Sequence, residues 1–273
     1  MFRHQVVWIT GASSGIGEAL AREFAGEGAR LVLSARRRQE LERVAGECVD
    51  AGAREEDIMI LPLDISDEPA VCCAPGQVLE RFGQIDWLIN NAGISQRSLC
   101  KDTEMAVYRR LFEVDVLGQI ALTKAVLAPM IARGSGHIAV TASVAGKVGV
   151  PYRTGYCAAK HAVMGFFDAL RAEVAGQGIR VTTVVPGFIR TNISSAALRG
   201  DGSAFGKVDQ HIAGGMDVTR AARVIMQGFR KDRPEIPVGT GREMHVIWLK
   251  RFFPRLTLRI AERTGAPEYH ADE

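Results

Sequence analysis

A chain of 273 residues, 47% hydrophobic and 24% charged, falls in the ordinary globular class and has the mass for a substantial core. A formal net charge of only +3 carries no nucleic-acid signature. Five cysteines, an odd number without zinc or disulfide-framework spacing, predict reduced thiols and a cytoplasmic location; no apolar run approaches the roughly 18 residues of a membrane span, and a strand beginning near Gln5 leaves no room for a signal peptide ahead of it.

Short apolar runs alternate with helical stretches, the signature of a parallel α/β sheet. Strands are expected at 5–10, 30–35, 58–63, 87–90, 137–141, 180–185 and 236–238. Helices are expected at 15–27, 37–51, 76–82, 104–132, 155–175 and 218–230. The fold class is therefore α/β, a single-domain, Rossmann-type, doubly wound parallel sheet of about seven strands flanked by helices. Residues 1–241 are read as the catalytic domain and 242–273 as a C-terminal extension. Pro75, within Cys72-Cys73-Ala74-Pro75-Gly76, is expected to break or delay the third helix. The two cysteines beside it read as inert packing residues.

Thr10-Gly11-Ala12-Ser13-Ser14-Gly15-Ile16-Gly17 follows the first strand and opens the first helix. Glycines allow a tight turn and a close approach to a ligand. The helix start then offers free N–H groups to a pyrophosphate. About 20 residues on, a dinucleotide site meets the adenosine ribose, where NAD sites usually carry an acid. Here the second strand runs into Ser34-Ala35-Arg36-Arg37-Arg38. An arginine pairs with a 2′-phosphate and stacks on adenine, so Arg36 points to NADP(H); a solvated helix start is the alternative for all three arginines.

Tyr156 and Lys160 lie one turn apart on the same helical face. An ammonium beside a phenol favours the phenolate, which suits general acid–base chemistry. Ser143 precedes them across a Gly- and Pro-containing loop that can fold back, bringing its hydroxyl toward a substrate oxygen. A Tyr-x-x-x-Lys alone is more often structural, and the weight comes from its company.

Taken together these residues resemble the short-chain dehydrogenase/reductase family over nearly the whole chain. Residues 10–17 are similar to its cofactor motif, with Gly11, Ser13, Ser14, Gly15, Ile16 and Gly17 as contacts. Asp64-Ile65 resembles its adenine contact, and Asn90-Asn91-Ala92-Gly93 its N-N-A-G segment. Ser143, Tyr156 and Lys160 match its serine and Y-x-x-x-K. Pro186-Gly187, with Ile189 and Thr191 beyond, matches the segment that embraces the nicotinamide.

The resemblance implies hydride exchange between NADP(H) and a carbonyl or alcohol. Tyr156 would move the proton and Ser143 would hold the oxygen. Lys160 would support the tyrosine and bind the nicotinamide ribose. The family usually places Asn in a V-N-x-x-G pattern, where this chain has Val114-Asp115-Val116-Leu117-Gly118. Asp115 thus stands in for the fourth catalytic residue, with a charge and without an amide N–H.

The segment 186–194, followed by Asp201-Gly202-Ser203, is similar to the member 7 group of dehydrogenase/reductases. Gly-, Ser- and Ala-rich residues 192–215 are expected to form a lid over a small, partly apolar substrate. Phe188, Ile189 and Ile193 line it or belong to the core. In 243–262, large apolar residues with helical spacing alternate with Lys250, Arg251, Arg255 and Arg259, and Pro254 interrupts them. This suits packing against protein, as a subunit contact or a flap over the substrate mouth, more than a peripheral membrane contact. The tail from Thr264 is expected to fray.

The expected protein is an NADP(H)-dependent short-chain oxidoreductase acting on a carbonyl or secondary alcohol, with no metal, as a homo-oligomer. Two alternatives remain. One is a 3-oxoacyl-carrier-protein reductase that receives its carrier on Arg97, Lys101, Arg109 and Arg110. The other is a catalytically silent NADPH sensor.

Overall fold

The structure, a computed structural model, describes residues 1–207 and 209–264. Its sheet grows from Val6-Val7-Trp8-Ile9-Thr10. Every residue of β1 (Val6–Thr10) is buried, because the strand is central and covered on both faces. Alternate side chains divide between two cores: Val6 and Trp8 enter one, Val7 and Ile9 the other. Around it pair β2 (Arg30–Ser34), β3 (Ile58–Ile60), β4 (Trp87–Asn90), β5 (Gly136–Thr141), β6 (Ile179–Pro186) and β7 (Glu235–Val238). All pairings are parallel, in the order β3-β2-β1-β4-β5-β6-β7.

The helices are α1 (Gly15–Gly26), α2 (Arg38–Asp50), α3 (Glu68–Phe82), α4 (Met105–Phe112), α5 (Gly118–Arg133), α6 (Thr154–Val174), α7 (Gln210–Ala213), α8 (Val218–Arg230), α9 (Glu243–Phe252) and α10 (Pro254–Thr264). Leu20 and Phe24 of α1, Leu41 of α2 and Phe229 of α8 close the core on one face. Val71 of α3, Leu122 of α5, and Val163 and Phe167 of α6 close the other. The strand order reverses between β1 and β4. A crevice opens outside the strand ends at such a switch point, and the site lies there.

Three expectations need correction. The chain does not wait for Pro75: α3 begins at Glu68, where the Asp67 side chain accepts the Ala70 N–H at 3.1 Å. A cap with Pro69 behind it starts the helix early. Pro75 is then carried inside it, buried beside Val71 and Val78. Cys72 and Cys73 are exposed rather than packed. The third strand stops at Ile60 rather than 63. Leu61 and Leu63 still donate to the carbonyls of Leu33 and Ala35 at 3.0 Å, but Pro62 between them has no N–H to give.

The unbroken helical run 105–133 is, by length and composition, apolar enough to cross a membrane, with a mean hydropathy of 1.5 over its best window. Half of that window is buried in the fold, which is how a core helix passes the same test. Pro254 starts α10, so the C-terminal stretch is two helices. The rest of the expected tail, 265–273, lies outside the described residues.

Candidate active site

A cleft of about 1090 Å³ runs along the switch point. Its first wall is the turn from β1 into α1. Gly11 has φ +63°, and an added Cβ would stand 2.8 Å from the Ala92 Cα. Gly17 lies behind the wall rather than in it, since an added Cβ would meet the Gly11 carbonyl oxygen at 2.3 Å. Its part is to let α1 press against the turn. Gly11, Ser13, Ser14, Gly15 and Ile16 do line the cleft. Ser14 precedes α1 in extended conformation and makes no side-chain cap, which leaves the first helical N–H groups to a ligand. These features fit a dinucleotide pyrophosphate.

At one end stand Arg36 and Arg37, both exposed, both lining the cleft, and neither in an ion pair among the described residues. Arg38 points elsewhere and pairs with Glu42 at 2.8 Å. No carboxylate follows β2: Ser34 is buried and receives the Trp8 indole N–H at 2.9 Å. Asp64 and Ile65 line the same end. Burial works to raise the Asp64 carboxyl, but the hydroxyl and N–H of Ser66, with Arg110 and Arg36 nearby, hold it below the usual carboxylate range.

The middle of the cleft is built on β4. Asn91 donates to the Thr10 and Gly11 carbonyls at 3.2 and 3.3 Å and accepts from Thr141 Oγ1 at 3.1 Å. Gln119 Nε2 donates to the Ala92 carbonyl at 2.7 Å. Asn91, Ala92 and Gly93 therefore form a braced floor, and the sequence carried no signal for Gln119 or Thr141 as the braces.

Ser143, Tyr156, Lys160 and Asp115, far apart in sequence, all line this cleft. Ser143 Oγ accepts the Ala145 N–H at 3.1 Å, which leaves its proton free to donate. Tyr156 and Lys160 are buried on the first turns of α6, with Lys160 Nζ 5.7 Å from the tyrosine ring centroid. The ammonium donates to the Thr141 carbonyl at 3.1 Å and pairs with Asp115 Oδ2 at 3.2 Å. One of its three protons then remains for a ligand.

Asp115 sits in a π-helical turn, Glu113–Leu117, that links α4 to α5. Single π turns inside α-helices often accompany functional sites. Asp115 is fully buried, and its Oδ1 accepts the Ile94 N–H at 2.7 Å. Its Oδ2 has no hydrogen bond of regular geometry, only the 3.2 Å ion pair. Burial pushes the Asp115 carboxyl up, against the pull of Lys160 and the Ile94 N–H. Burial alone would lower Lys160, yet the Asp115 and Tyr156 charges carry it above its ordinary value, so the side chain is an ammonium.

Pro186, Gly187, Ile189 and Thr191 line the cleft beyond β6. Phe188 stacks on His211 at 5.4 Å, and Ile189 also belongs to the core. From the expected lid, Asn192, Ile193, Ala196, Leu198 and Ile212 face the cleft. The lid is held by bridges Gln96–Leu198 and Leu198–Ala204. Sequence reasoning missed Arg153, which also lines the cleft; Glu243 and Lys250 line it from the C-terminal segment, one of whose expected roles was a flap over the substrate mouth. Only helical spacing from Tyr156 hinted at Arg153. The four basic residues weighed as a carrier surface do not form one open patch: Arg97 pairs with Asp209 at 3.0 Å, and Arg110 with Asp64 at 3.5 Å.

A doubly wound sheet with a phosphate turn and a buried Tyr–Lys pair beside a free serine hydroxyl defines a dinucleotide-dependent oxidoreductase class. The description "short chain dehydrogenase" matches residues 5–201. Human dehydrogenase/reductase SDR family member 7 is 42% identical over 262 residues, 95% of this chain and 77% of that protein. A short-chain dehydrogenase/reductase from Burkholderia phymatum, solved in complex with NAD, superposes with TM-score 0.83 at 24% identity, covering 98% of this chain and 99% of that one. An alcohol dehydrogenase from Thermococcus sibiricus, complexed with 5-hydroxy-NADP, gives TM-score 0.73 at 28% identity over 87% and 97% of the two chains. The chain belongs to the short-chain dehydrogenase/reductase family.

Proposed function

We propose that the protein is an NADP(H)-dependent oxidoreductase that interconverts a carbonyl and a secondary alcohol. One arrangement carries the reading: Tyr156 and the Asp115-held Lys160 ammonium share the cleft with a serine whose proton is free. In reduction Tyr156 gives its hydroxyl proton to the carbonyl oxygen, and in oxidation it takes that proton back. Ser143 donates a hydrogen bond to the same oxygen. Lys160 would hold a ribose hydroxyl of the bound cofactor with its remaining N–H, and its charge would stabilise the oxyanion left on Tyr156 when the proton is given up. The bound nicotinamide supplies or receives the hydride. NADPH oxidation over a panel of ketones and aldehydes tests the reading, and a silent nucleotide sensor would oxidise none while still binding NADPH.

NADP(H) is preferred on the strength of Arg36 and Arg37, which line the cleft and make no direct ion pair among the described residues, Asp64 near Arg36 being bonded to Ser66 and Arg110. Arg36→Asp removes a phosphate partner and supplies a ribose-binding acid, so the ratio of kcat/KM for NADPH over NADH should invert. A parent protein that already prefers NADH overturns this assignment.

The working assembly is at least a homodimer, in the cytoplasm. On α6, Val163, Phe167, Leu170 and Val174 are buried, while Ala162 and Phe166 are half-exposed and Ala158, Gly165, Ala169 and Ala172 are exposed. That outer face is flat and small, and Leu117 at the start of α5 is 49% exposed. A two-fold contact would bury one such patch on both subunits. The rival contact is α9–α10, where Trp248, Phe252 and Phe253 are exposed beside basic residues, a surface that also suits an interfacial membrane contact. Light scattering of the chain truncated after Gly241 should still give a dimer. A monomeric full-length protein at micromolar concentration overturns the assembly.

A further inference from the structure

The substrate half of the cleft carries more positive charge than the fold neutralises. Asp209 is buried and serves two arginines at once. Its Oδ2 lies 3.0 Å from Arg97 Nη1 and 3.3 Å from Arg153 Nη2. Its Oδ1 is occupied by the His211 N–H at 2.9 Å. One carboxylate therefore faces two guanidinium groups, and the nearer bond goes to Arg97. Arg97 also lies over the rings of Tyr152 and Phe205, at 5.4 and 5.9 Å, which makes it part of the packing. It does not line the cleft, whereas Arg153 does.

Arg153 is only 13% exposed, and its buried Nε has no partner. It stands at the start of α6, three residues before Tyr156, on the turn that carries the proton donor. Lys250 of α9 lines the same half, is half-buried, and has no ion pair among the described residues. Arg153, Lys250 and Tyr156 thus line one cleft. The carboxylates that line the cleft are Asp64, Asp115 and Glu243. Asp64 is bound to Ser66 and Arg110, Asp115 to Lys160, and Glu243 is turned toward the Phe188 N–H at 3.4 Å. None of them answers Arg153 or Lys250. A mostly buried guanidinium with half a counter-charge favours an anion beside it. Around these cations the wall is apolar, with Val144, Val148, Val150, Ile193, Leu249 and Leu258.

We propose that Arg153, assisted by Lys250, forms an anion-binding subsite, and that the substrates are keto or hydroxy acids in which an apolar body separates the reacting carbon from a carboxylate. This rests on the oxidoreductase reading above. Beyond the Nη2 bond to Asp209, the guanidinium keeps further Nη N–H donors and its charge for the carboxylate. The apolar wall takes the chain between them, and the Ser143 and Tyr156 hydroxyls meet the carbonyl.

The test compares 10-oxooctadecanoate with its methyl ester, which removes the charge and adds one methyl group. KM is read from NADPH oxidation, and Kd from calorimetry on the NADPH-saturated protein. The acid should have the lower KM and Kd by about tenfold to a hundredfold, the range of a hydrogen bond to a charged group. Arg153→Met should remove that preference, bringing the acid-to-ester ratio of both constants to about one. Lys250→Met should reduce it, and it keeps the test open if Arg153→Met does not fold. Arg97→Met breaks the same Asp209 cluster without facing the cleft, so the acid-to-ester ratio should survive it. Equal constants for acid and ester in the parent protein overturn the subsite. So does an equal loss for both compounds in Arg153→Met, which marks a structural role. Tighter binding of the acid with no NADPH oxidation by it or by the ketone and aldehyde panel supports the subsite and sinks the oxidoreductase reading instead.

Discussion

Tyr156→Phe should lower turnover at least about a hundredfold, the lower range for losing a general acid or base, while NADPH still binds. The change deletes one oxygen from a ring that is only 7% exposed, and the buried ring itself is kept. Nothing in the pyrophosphate turn or at Arg36 depends on that oxygen. Turnover and NADPH affinity therefore separate, which a general loss of folding would not produce. Single-turnover rates with a carbonyl substrate, beside NADPH titration by fluorescence, check both halves. Near-normal turnover removes Tyr156 from the proton-transfer role.

The largest effect on stability is expected at Asp115. Asp115→Leu leaves the Lys160 ammonium buried against the Thr141 carbonyl without its counter-charge. Breaking a buried pair from one side costs about 3–5 kcal/mol. Denaturant unfolding should show a loss of that order. Asp115→Asn also removes the counter-charge but keeps an acceptor for the Ile94 N–H, so its loss should be smaller than that of Asp115→Leu. The pH dependence has a definite sign. Lys160 is raised in the folded state, so its contribution to stability is complete at neutral pH and is lost only as pH climbs past the ordinary lysine range and through the folded value. Asp115, raised by burial, has the same sign at lower pH: its charged form is disfavoured in the fold, and that cost appears once pH rises above the ordinary carboxylate range. Removing the carboxylate removes the first-named support of the ammonium. Activity in Asp115→Asn should persist at neutral pH, while the alkaline limb of its pH–rate profile moves to lower pH. An unchanged alkaline limb would mean that Asp115 is a structural acid alone.

Much of this was legible before any coordinates because local physics is written locally. The β1–α1 turn announces itself by glycines between an apolar run and a helix, and Gly11 does take a positive φ there. Tyr156 and Lys160 share a face because they are four apart on a helix. Pro75 misled for the same local reason. Its missing N–H argues against a helix, but the Asp67 cap and a buried face along Val71 and Val78 outweigh it.

The sequence by itself determined the succession of strands and helices and the glycine turn, which rest on periodicity and spacing within about twenty residues, where chain geometry leaves few choices. It pointed to the tyrosine, lysine and serine only together with the family resemblance of the other motifs. The tertiary structure alone decided who partners whom across long separations. Asp115 reads as a mere departure from Asn until the π turn and burial set it 3.2 Å from Lys160. Arg153 reads as one more basic residue until Asp209, 56 positions away, proves to be shared with Arg97. Charge balance in a cleft is a sum over residues that folding brings together. Low dielectric makes that sum matter, and neither the neighbours nor the burial is encoded in any one stretch of the chain.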